Sequence, residues 1–178
     1  MDVYLVLKFL HVIAAILWVG AGILSTLLIH LAGRDGDRVL RTLAVFAPAM
    51  PILMMPSSLT VLVTGGTLVW LGAWGAAPWM LVALAATLAS FVAGARVFGP
   101  AIGRAFALNE QGRRREAADT ILRLALPLRI EQAALVLVVC LMVVKPGWEE
   151  MPLVGLFALG LFGIALKLTP ANGRPQSA

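Results

Sequence analysis

Both histidines of the chain lie in its first apolar segment, Leu7–Leu31, and they are the side chains best suited to chemistry. An imidazole ligates metals and exchanges protons near neutral pH. One helix face, with the spacing of three and four residues that stacks side chains, carries His11, Ala15, Trp18, Gly22 and Ser25. That face is small except for the rings of His11 and Trp18, so a flat ligand or a second helix can approach it closely. Because an ionisable side chain within a membrane span indicates a functional site, His11 is the first candidate.

The second histidine, His30, lies nineteen residues further along the segment, about 28 Å away at 1.5 Å per residue. The two imidazoles therefore cannot ligate one metal within one helix. At the depth of His11 a neutral imidazole needs either a metal or a hydrogen bond to a neighbouring helix, because a bare polar group in hydrocarbon costs several kcal/mol. The residues alone leave both alternatives open.

His30 belongs to a second candidate site, at the other end of the first span. Arg96 ends the third apolar segment, and Arg129 and Glu131 begin the fourth, so we expect these three side chains to form a polar cluster with His30. Within it Glu131 is expected to pair with Arg96 or Arg129 across the helices. The alternative is that both arginines extend to lipid phosphates and Glu131 only neutralises one of them.

The elements that position these residues are apolar helices. Of the 178 residues, 61% are hydrophobic and only 13% are charged, whereas soluble domains have roughly 25% charged residues. A bilayer core of about 30 Å needs about 20 apolar residues in a helix, and the segments that approach this length are 7–31, 52–71, 78–98, 127–144 and 153–168. The sequence predicts an all-α, polytopic transmembrane helix bundle with four core spans plus a fifth. It forms one domain over residues 1–170, followed by a disordered polar tail over 171–178.

The second span is flanked by two groups of residues with special properties. Pro48, Pro51 and Pro56 lie at and just before its start. Proline kinks a helix interior, so we expect a bent or broken start, with residues 40–47 lying at the membrane interface. The end of the span and the next turn carry Trp70, Trp74 and Trp79. These are typical of an aromatic belt at one membrane face.

The longest connection is expected at residues 99–128. Gly99 and Pro100 predict a helix end, and the apolar spacing over residues 113–126 predicts an amphipathic surface helix.

The arginines predict the orientation of the chain. They concentrate in the loop after the first span, in residues 99–128 and in the tail, which share one side of the membrane if there are five spans. Lysine and arginine mark the cytoplasmic side, so we expect the N-terminus outside and the C-terminus in the cytoplasm. The net charge of +5 is explained in the same way and indicates no nucleic-acid partner. Asp2 and the length of the apolar segment argue against a cleaved signal peptide, so the first helix is expected to remain.

Two segments resemble a bacterial superfamily of small membrane proteins. The segment Lys8-x-x-His11-x6-Trp18-x-Gly20-x-Gly22 is similar to its first helix, and the run from Glu131 to Pro146, ending in Lys145-Pro146, is similar to a second conserved run. The superfamily includes the HemJ-type protoporphyrinogen oxidases, the copper-resistance D membrane domain, and a family of predicted integral membrane proteins of unknown function. The chain resembles this last family over nearly its whole length.

The chain departs from the HemJ-type pattern at several positions. Glu131 occupies the position of the family glutamate, but Ile130 and Ala133 replace the asparagine and proline beside it. The third span lacks the lysine and histidine that HemJ-type proteins carry there, and Arg96 is its only charge. The resemblance thus implies a membrane oxidoreductase of HemJ type, but this chain lacks several residues of that family.

The resemblance implies haem b as a cofactor, because the first-helix histidine of this superfamily is tied to it. His11 would be the axial ligand, Trp18 and Gly22 would shape the pocket, and the second axial position would be open or filled by methionine, water or another subunit. One alternative is a non-catalytic accessory subunit, in a homo-oligomer or a larger membrane complex. Another is copper handling by the thioethers of Met50, Met54 and Met55. The implied location is the bacterial inner membrane, with the lipid bilayer as surrounding partner.

Overall fold

The computed structural model describes residues 2–32, 35–46 and 49–167, and this part of the chain is helical apart from short turns. In chain order the helices are α1 (Val3–Ala32), α2 (Gly36–Phe46), α3 (Ala49–Gly72), α4 (Pro78–Ala93), α5 (Gly99–Glu110), α6 (Arg114–Arg123), α7 (Ala125–Val144) and α8 (Met151–Lys167). A π-helical turn, Gly94–Phe98, joins α4 to α5, and a 3-10 turn, Trp148–Glu150, precedes α8. The all-α prediction is confirmed for the described residues.

Five helical stretches are long and apolar enough to cross a membrane: Val3–Ala32, Ile52–Gly72, Pro78–Glu110, Arg114–Val144 and Trp148–Lys167. Each contains most or all of one apolar segment predicted from the sequence. The fifth reaches 20 residues because the 3-10 turn continues into α8. The tail predicted over residues 171–178 lies outside the described residues.

The core of the bundle consists of α1, α3, α4 and α7. The most extensive contact joins α1 to α3, and α7 packs on both α1 and α4, whereas α3 and α4 barely touch. Small buried residues, Ala14 and Ala21 on α1 and Ala83 on α4, let the helices approach closely. By contrast, α8 packs on the side of α7 and buries only Ala165.

The two ends of the bundle differ in their side chains. One end, called the basic end below, carries the exposed arginines Arg38, Arg41, Arg104, Arg114 and Arg123 of α2, α5 and α6. The opposite end, called the tryptophan end, carries Trp70 and Trp74, the start of α1 and the turn before α8. His11 therefore lies nearer the tryptophan end, and His30 lies at the basic end.

Residues 99–128, predicted as the longest loop, are helical over most of their length, so that prediction is wrong. The helix continues through Gly99 and Pro100 because the π turn bonds the Gly99 N–H to the Gly94 carbonyl, five residues back. Pro100 has no N–H to donate, and its ring crowds the preceding turn of an ordinary α-helix. The wider π turn relieves this conflict. Gly99 and Pro100 thus mark a change of helix type rather than a helix end.

A layer of three helices, α2, α5 and α6, covers the basic end and has its own apolar core. Ala117 of α6 packs with Leu40 of α2 and Leu108 of α5. Ile121 of α6 joins this layer to Ile29 of α1. The helix predicted at residues 113–126 is therefore present as α6, but α2 and α5 cover its apolar face. Residues 40–46 of the segment expected at the membrane interface belong to α2 at the basic end, and residue 47 lies outside the described part.

No break occurs at the described start of the second span. α3 runs unbroken from Ala49 although it contains Pro56. The Ser57 hydroxyl donates to the Leu53 carbonyl, and the Ser58 hydroxyl donates to the Met55 carbonyl. Such bonds satisfy carbonyls near a proline in a membrane helix. Pro48 lies outside the described residues.

We propose that the basic end faces the cytoplasm, because arginine is enriched on that side of membranes. Single cysteines at Ala76 and Arg114, both exposed, test this in a Cys140→Ala background. In intact cells a membrane-impermeant maleimide is expected to label position 76, whereas position 114 should react only after the membrane is opened. The reverse pattern would invert the orientation.

Candidate functional site

A cavity of about 390 Å³ lies between α1, α3, α4 and α7, in the half of the bundle nearer the tryptophan end. Its walls include His11 and Trp18 from α1, Gly65 from α3, Met80 from α4 and Met142 from α7. The lining is almost wholly apolar. Pockets of roughly 300–1,000 Å³ with apolar walls and a few polar groups are typical of ligand and cofactor sites. This cavity is therefore the candidate functional site.

A hydrogen bond to the neighbouring helix anchors His11. Its Nδ1 lies 3.0 Å from Oγ1 of Thr64 on α3, and that hydroxyl donates its single proton to the Thr60 carbonyl. Thr64 Oγ1 can then only accept from the ring, so Nδ1 carries the hydrogen and Nε2 carries the lone pair. Metal-ligating histidines are commonly held in this way, with one ring nitrogen donating and the other free to bind.

Gly65 determines where the His11 ring lies. A Cβ at this position would be 3.0 Å from Cε1 and 3.4 Å from Nδ1 of the imidazole. The missing side chain thus lets the ring pack directly against α3. The Nδ1–Cε1 edge therefore faces Gly65, and Nε2 lies more than 4 Å from the position of that Cβ. The interhelical hydrogen bond considered for His11 is present, and it leaves one nitrogen for a ligand.

His30 has the opposite arrangement of ring protons. Nη2 of Arg129 lies 2.8 Å from His30 Nδ1. A guanidinium only donates, so this Nδ1 must be the unprotonated acceptor and the remaining hydrogen lies on Nε2. A metal at His30 would have to displace the arginine or the hydrogen. The Val61 backbone of α3 is a further hydrogen-bond partner of the His11 ring. Of the two histidines, His11 is the one whose Nδ1 donates, so its Nε2 is the nitrogen that carries no hydrogen.

The polar cluster expected at the basic end is only partly assembled. His30 and Arg129 are in contact, but Arg96 is exposed. Glu131 accepts a hydrogen bond from Ser90 of α4, at 2.9 Å from its Oε1. Within the described residues Glu131 forms no ion pair with Arg96 or Arg129, in contrast to the expected pairing. Helical phase separates Glu131 from Arg129, because residues 129 and 131 are about 200° apart around α7, so one faces α1 and the other faces α4.

Gly22 serves helix packing and does not line the cavity. A Cβ there would overlap Nε2 of Gln132, so the glycine makes room for a buried glutamine of α7. The Oε1 atom of this glutamine has no hydrogen-bond partner among the residues described. Trp18 lines the cavity and packs with Leu135. Of the expected pocket residues, His11 and Trp18 therefore reach the cavity, whereas Gly22 lies beyond its floor.

The three methionines considered for copper do not converge on one position. The Ser25 hydroxyl donates to Met50 Sδ at 3.3 Å, and Met54 packs beside Trp18 and its neighbours. Met55 is exposed. The structure instead places two other methionines, Met80 and Met142, at the cavity that contains His11.

A cluster that the sequence analysis missed lies at the tryptophan end. Lys145 Nζ is 5.3 Å from the ring centroid of Trp74 and 5.7 Å from that of Trp79. The two indoles are 5.4 Å apart. Of the three tryptophans expected as an aromatic belt at one membrane face, Trp70 is 80% exposed, Trp74 is half-buried and Trp79 is 6% exposed. The Lys-Pro exit of α7 was visible in the sequence, but its indole partners follow only from the packing of α4 on α7.

Gly65→Ala and Gly66→Ala form a matched pair that tests the seating of His11. Both add one methyl group to α3 and about 1 kcal/mol of helix propensity, but only the Cβ at 65 meets the imidazole; at 66 it meets nothing within 4 Å. Gly65→Ala is expected to be about 1 kcal/mol or more less stable than Gly66→Ala, because it disturbs the bond to Thr64. Thermal unfolding in detergent measures the difference. Equal stabilities would mean that the ring does not rest on α3.

Arg129→Gln and Arg96→Gln test the His30 contact. Arg129 is 7% exposed and Arg96 is exposed. Losing this part-buried, charge-assisted hydrogen bond is expected to cost about 2 kcal/mol, whereas an exposed substitution costs about 0.5 kcal/mol or less. The same thermal unfolding assay compares the two variants. A larger effect at Arg96 would contradict this assignment.

The comparison with protein families finds a match over residues 5–146 to the predicted integral membrane proteins designated DUF2269. The matched region includes the cavity, both histidines and the Lys145-Pro146 exit of α7, and it ends before α8. No curated protein and no solved structure matches the chain. Because the match covers most of its length and the helices form a multi-pass bundle, the chain belongs to the DUF2269 family of integral membrane proteins.

Proposed function

We propose that the protein binds haem b through Nε2 of His11 and takes part in a membrane redox or haem-related reaction. The observation that carries the proposal is the lone pair on Nε2 of His11. Nε2 has this lone pair because Nδ1 donates to Thr64, and His11 lines an apolar cavity of about 390 Å³. The resemblance of the Lys8-x-x-His11 helix to the HemJ superfamily supports the same ligand.

The donors of the cavity suit a porphyrin iron. A histidine imidazole and a methionine thioether are both side chains that would hold a haem iron. Met80 and Met142 line the cavity together with His11, and its apolar walls suit a flat macrocycle. When bound, haem supplies one-electron redox chemistry.

The remaining residues of the site position and shield the ligand. Thr64 orients the imidazole and keeps it in one tautomer. Trp18 packs with Ala14, Val61 and Leu135, which closes the cavity toward the basic end and excludes water from that side. In α4 the cavity-facing residues are Met80, Leu84 and Thr87. None of them is the lysine or histidine of HemJ-type proteins, so we propose haem binding and electron transfer rather than the oxidase reaction.

Copper(I) is the second candidate ligand, and it is favoured by the same three donors. One imidazole and two thioethers form a soft set that suits copper(I). His11, Met80 and Met142 provide this set, in place of the Met50, Met54 and Met55 group. Metal analysis separates the two candidates. We further propose the bacterial inner membrane as the location, on the basis of the superfamily resemblance and the basic end.

His11→Ala, His30→Ala and Thr64→Val test the proposal. Each protein is expressed with ample haem and purified in detergent, and the Soret absorbance per protein is measured. The wild type and His30→Ala are expected to show a Soret band, and His11→Ala is expected to lose it. Thr64→Val removes the acceptor of Nδ1, so the affinity for haem should fall about 10–100-fold.

The other outcomes are equally informative. A colourless wild type that contains copper would favour the second candidate. A wild type with neither haem nor copper, copurifying with other membrane proteins, would make the chain an accessory subunit. A Soret band that survives in His11→Ala would place any haem elsewhere.

A further inference from the structure

The cavity opens sideways between α1 and α7. These helices touch through Trp18 with Leu135 and through Gly22 with Gln132, both toward the basic end of the cavity. Nearer the tryptophan end, the cavity-lining residues of the two helices are exposed. They are Val12, Ile16, Val139 and Val143. This pair of ridges frames a mouth that faces the hydrocarbon of the bilayer, so a lipophilic ligand can enter from the membrane.

A lysine stands at the tryptophan-end corner of each helix that frames the mouth. Lys8 is one helical turn before Val12 and is exposed on α1. Lys145 directly follows α7 at the same end of the bundle, and its amine lies on the side of α7 that faces Trp74 and Trp79. Among the residues described, neither amine forms an ion pair with a carboxylate.

The backbone and the neighbouring indoles both constrain Lys145. Its φ of 52° and ψ of 53° are left-handed, a conformation that usually selects glycine or asparagine at a helix end. Its amine lies over Trp74 and Trp79. Those indoles belong to an apolar cluster that includes Met80 and Met142 of the cavity wall.

We infer that the ligand of the cavity is a lipophilic molecule with carboxylates at one end, which Lys145 and Lys8 bind at the tryptophan end while its apolar body lies inside. The apolar lining gives an anionic group no partner within the cavity, so charge on the ligand must remain outside it, at the end that carries the two lysines. This inference rests on the proposed function, and it specifies how haem would lie: with its propionates toward the tryptophan end. The inner wall then contacts only the macrocycle.

Titration of the detergent-purified, full-length protein with haemin and with haemin dimethyl ester tests the inference. Both compounds contain the same iron and macrocycle, but the ester has no carboxylate. The wild type is expected to bind haemin at least about tenfold more tightly than the ester, since a charge-assisted hydrogen bond is worth about this factor. The Soret band reports both affinities.

Variants of the lysines assign the effect to residues. Lys145→Gln is expected to raise the haemin Kd about tenfold and to leave the ester Kd unchanged, and Lys145→Arg should restore haemin affinity. Lys8→Gln is expected to act in the same direction. Lys167→Gln, an exposed lysine at the far end of α8, is the matched control and should change neither affinity.

Three outcomes would overturn the inference. Equal haemin and ester affinities in the wild type, with the Soret band present, would sink it while leaving the proposed function intact. Phosphatidylglycerol could instead stabilise the wild type but not Lys145→Gln, while haemin and its ester bind equally well. That result would assign the lysines to a lipid headgroup. If neither haemin nor haemin dimethyl ester gives a Soret band of bound haem, both the proposed function and this inference are refuted.

Discussion

The structure depends on one constraint: a polar group at membrane depth must find its partner inside the bundle, because the hydrocarbon offers none. The His11–Thr64–Thr60 chain shows the consequence most clearly. A backbone carbonyl takes the threonine proton, the threonine oxygen takes the imidazole proton, and the last lone pair lies on Nε2. The chemistry available at the cavity is thus set by hydrogen bonds on the far side of the ring.

The same constraint accounts for the polar contacts of α7. Arg129 is buried and donates to His30 on α1. Glu131, two residues on, faces α4 and accepts from Ser90. An arginine and a glutamate on one helix thus serve two different interfaces instead of pairing with each other. Each contact fixes the rotation of α7 against one neighbour, and together they orient the helix within the bundle.

Two glycines show how close helix approach and polar packing are combined. The absence of a side chain at Gly65 leaves room for the edge of the His11 imidazole, and at Gly22 it leaves room for the amide of Gln132. A small residue at each position lets a larger polar side chain from the neighbouring helix lie against the backbone. Because the contact of Gln132 lies toward the basic end, α1 and α7 are close there and leave the cavity open nearer the other end. The cavity is therefore a consequence of where the helices touch.

The two ends of the bundle also differ in structure. The basic end is covered by three short helices with an apolar core of their own, whereas the tryptophan end holds the cavity and the Lys145–indole cluster. α8 lies outside the region matched by the family and is largely peripheral. The region that carries the proposed chemistry is thus the part of the chain shared with the family.

The sequence by itself determined the apolar spans and their number, and it singled out His11 and Trp18, because length, hydropathy and helical period are local properties of the chain. It did not predict the helical layer formed by α2, α5 and α6, since Gly99 and Pro100 resemble a helix end until a π turn accommodates the proline. Only the tertiary structure decided that Gly22 meets Gln132, that Glu131 meets Ser90, and that Met80 and Met142 join His11 at one cavity. These contacts join residues 41 to 131 positions apart. They depend on the rotation and depth of each helix against its neighbours, which a period of 3.6 residues along one helix cannot encode.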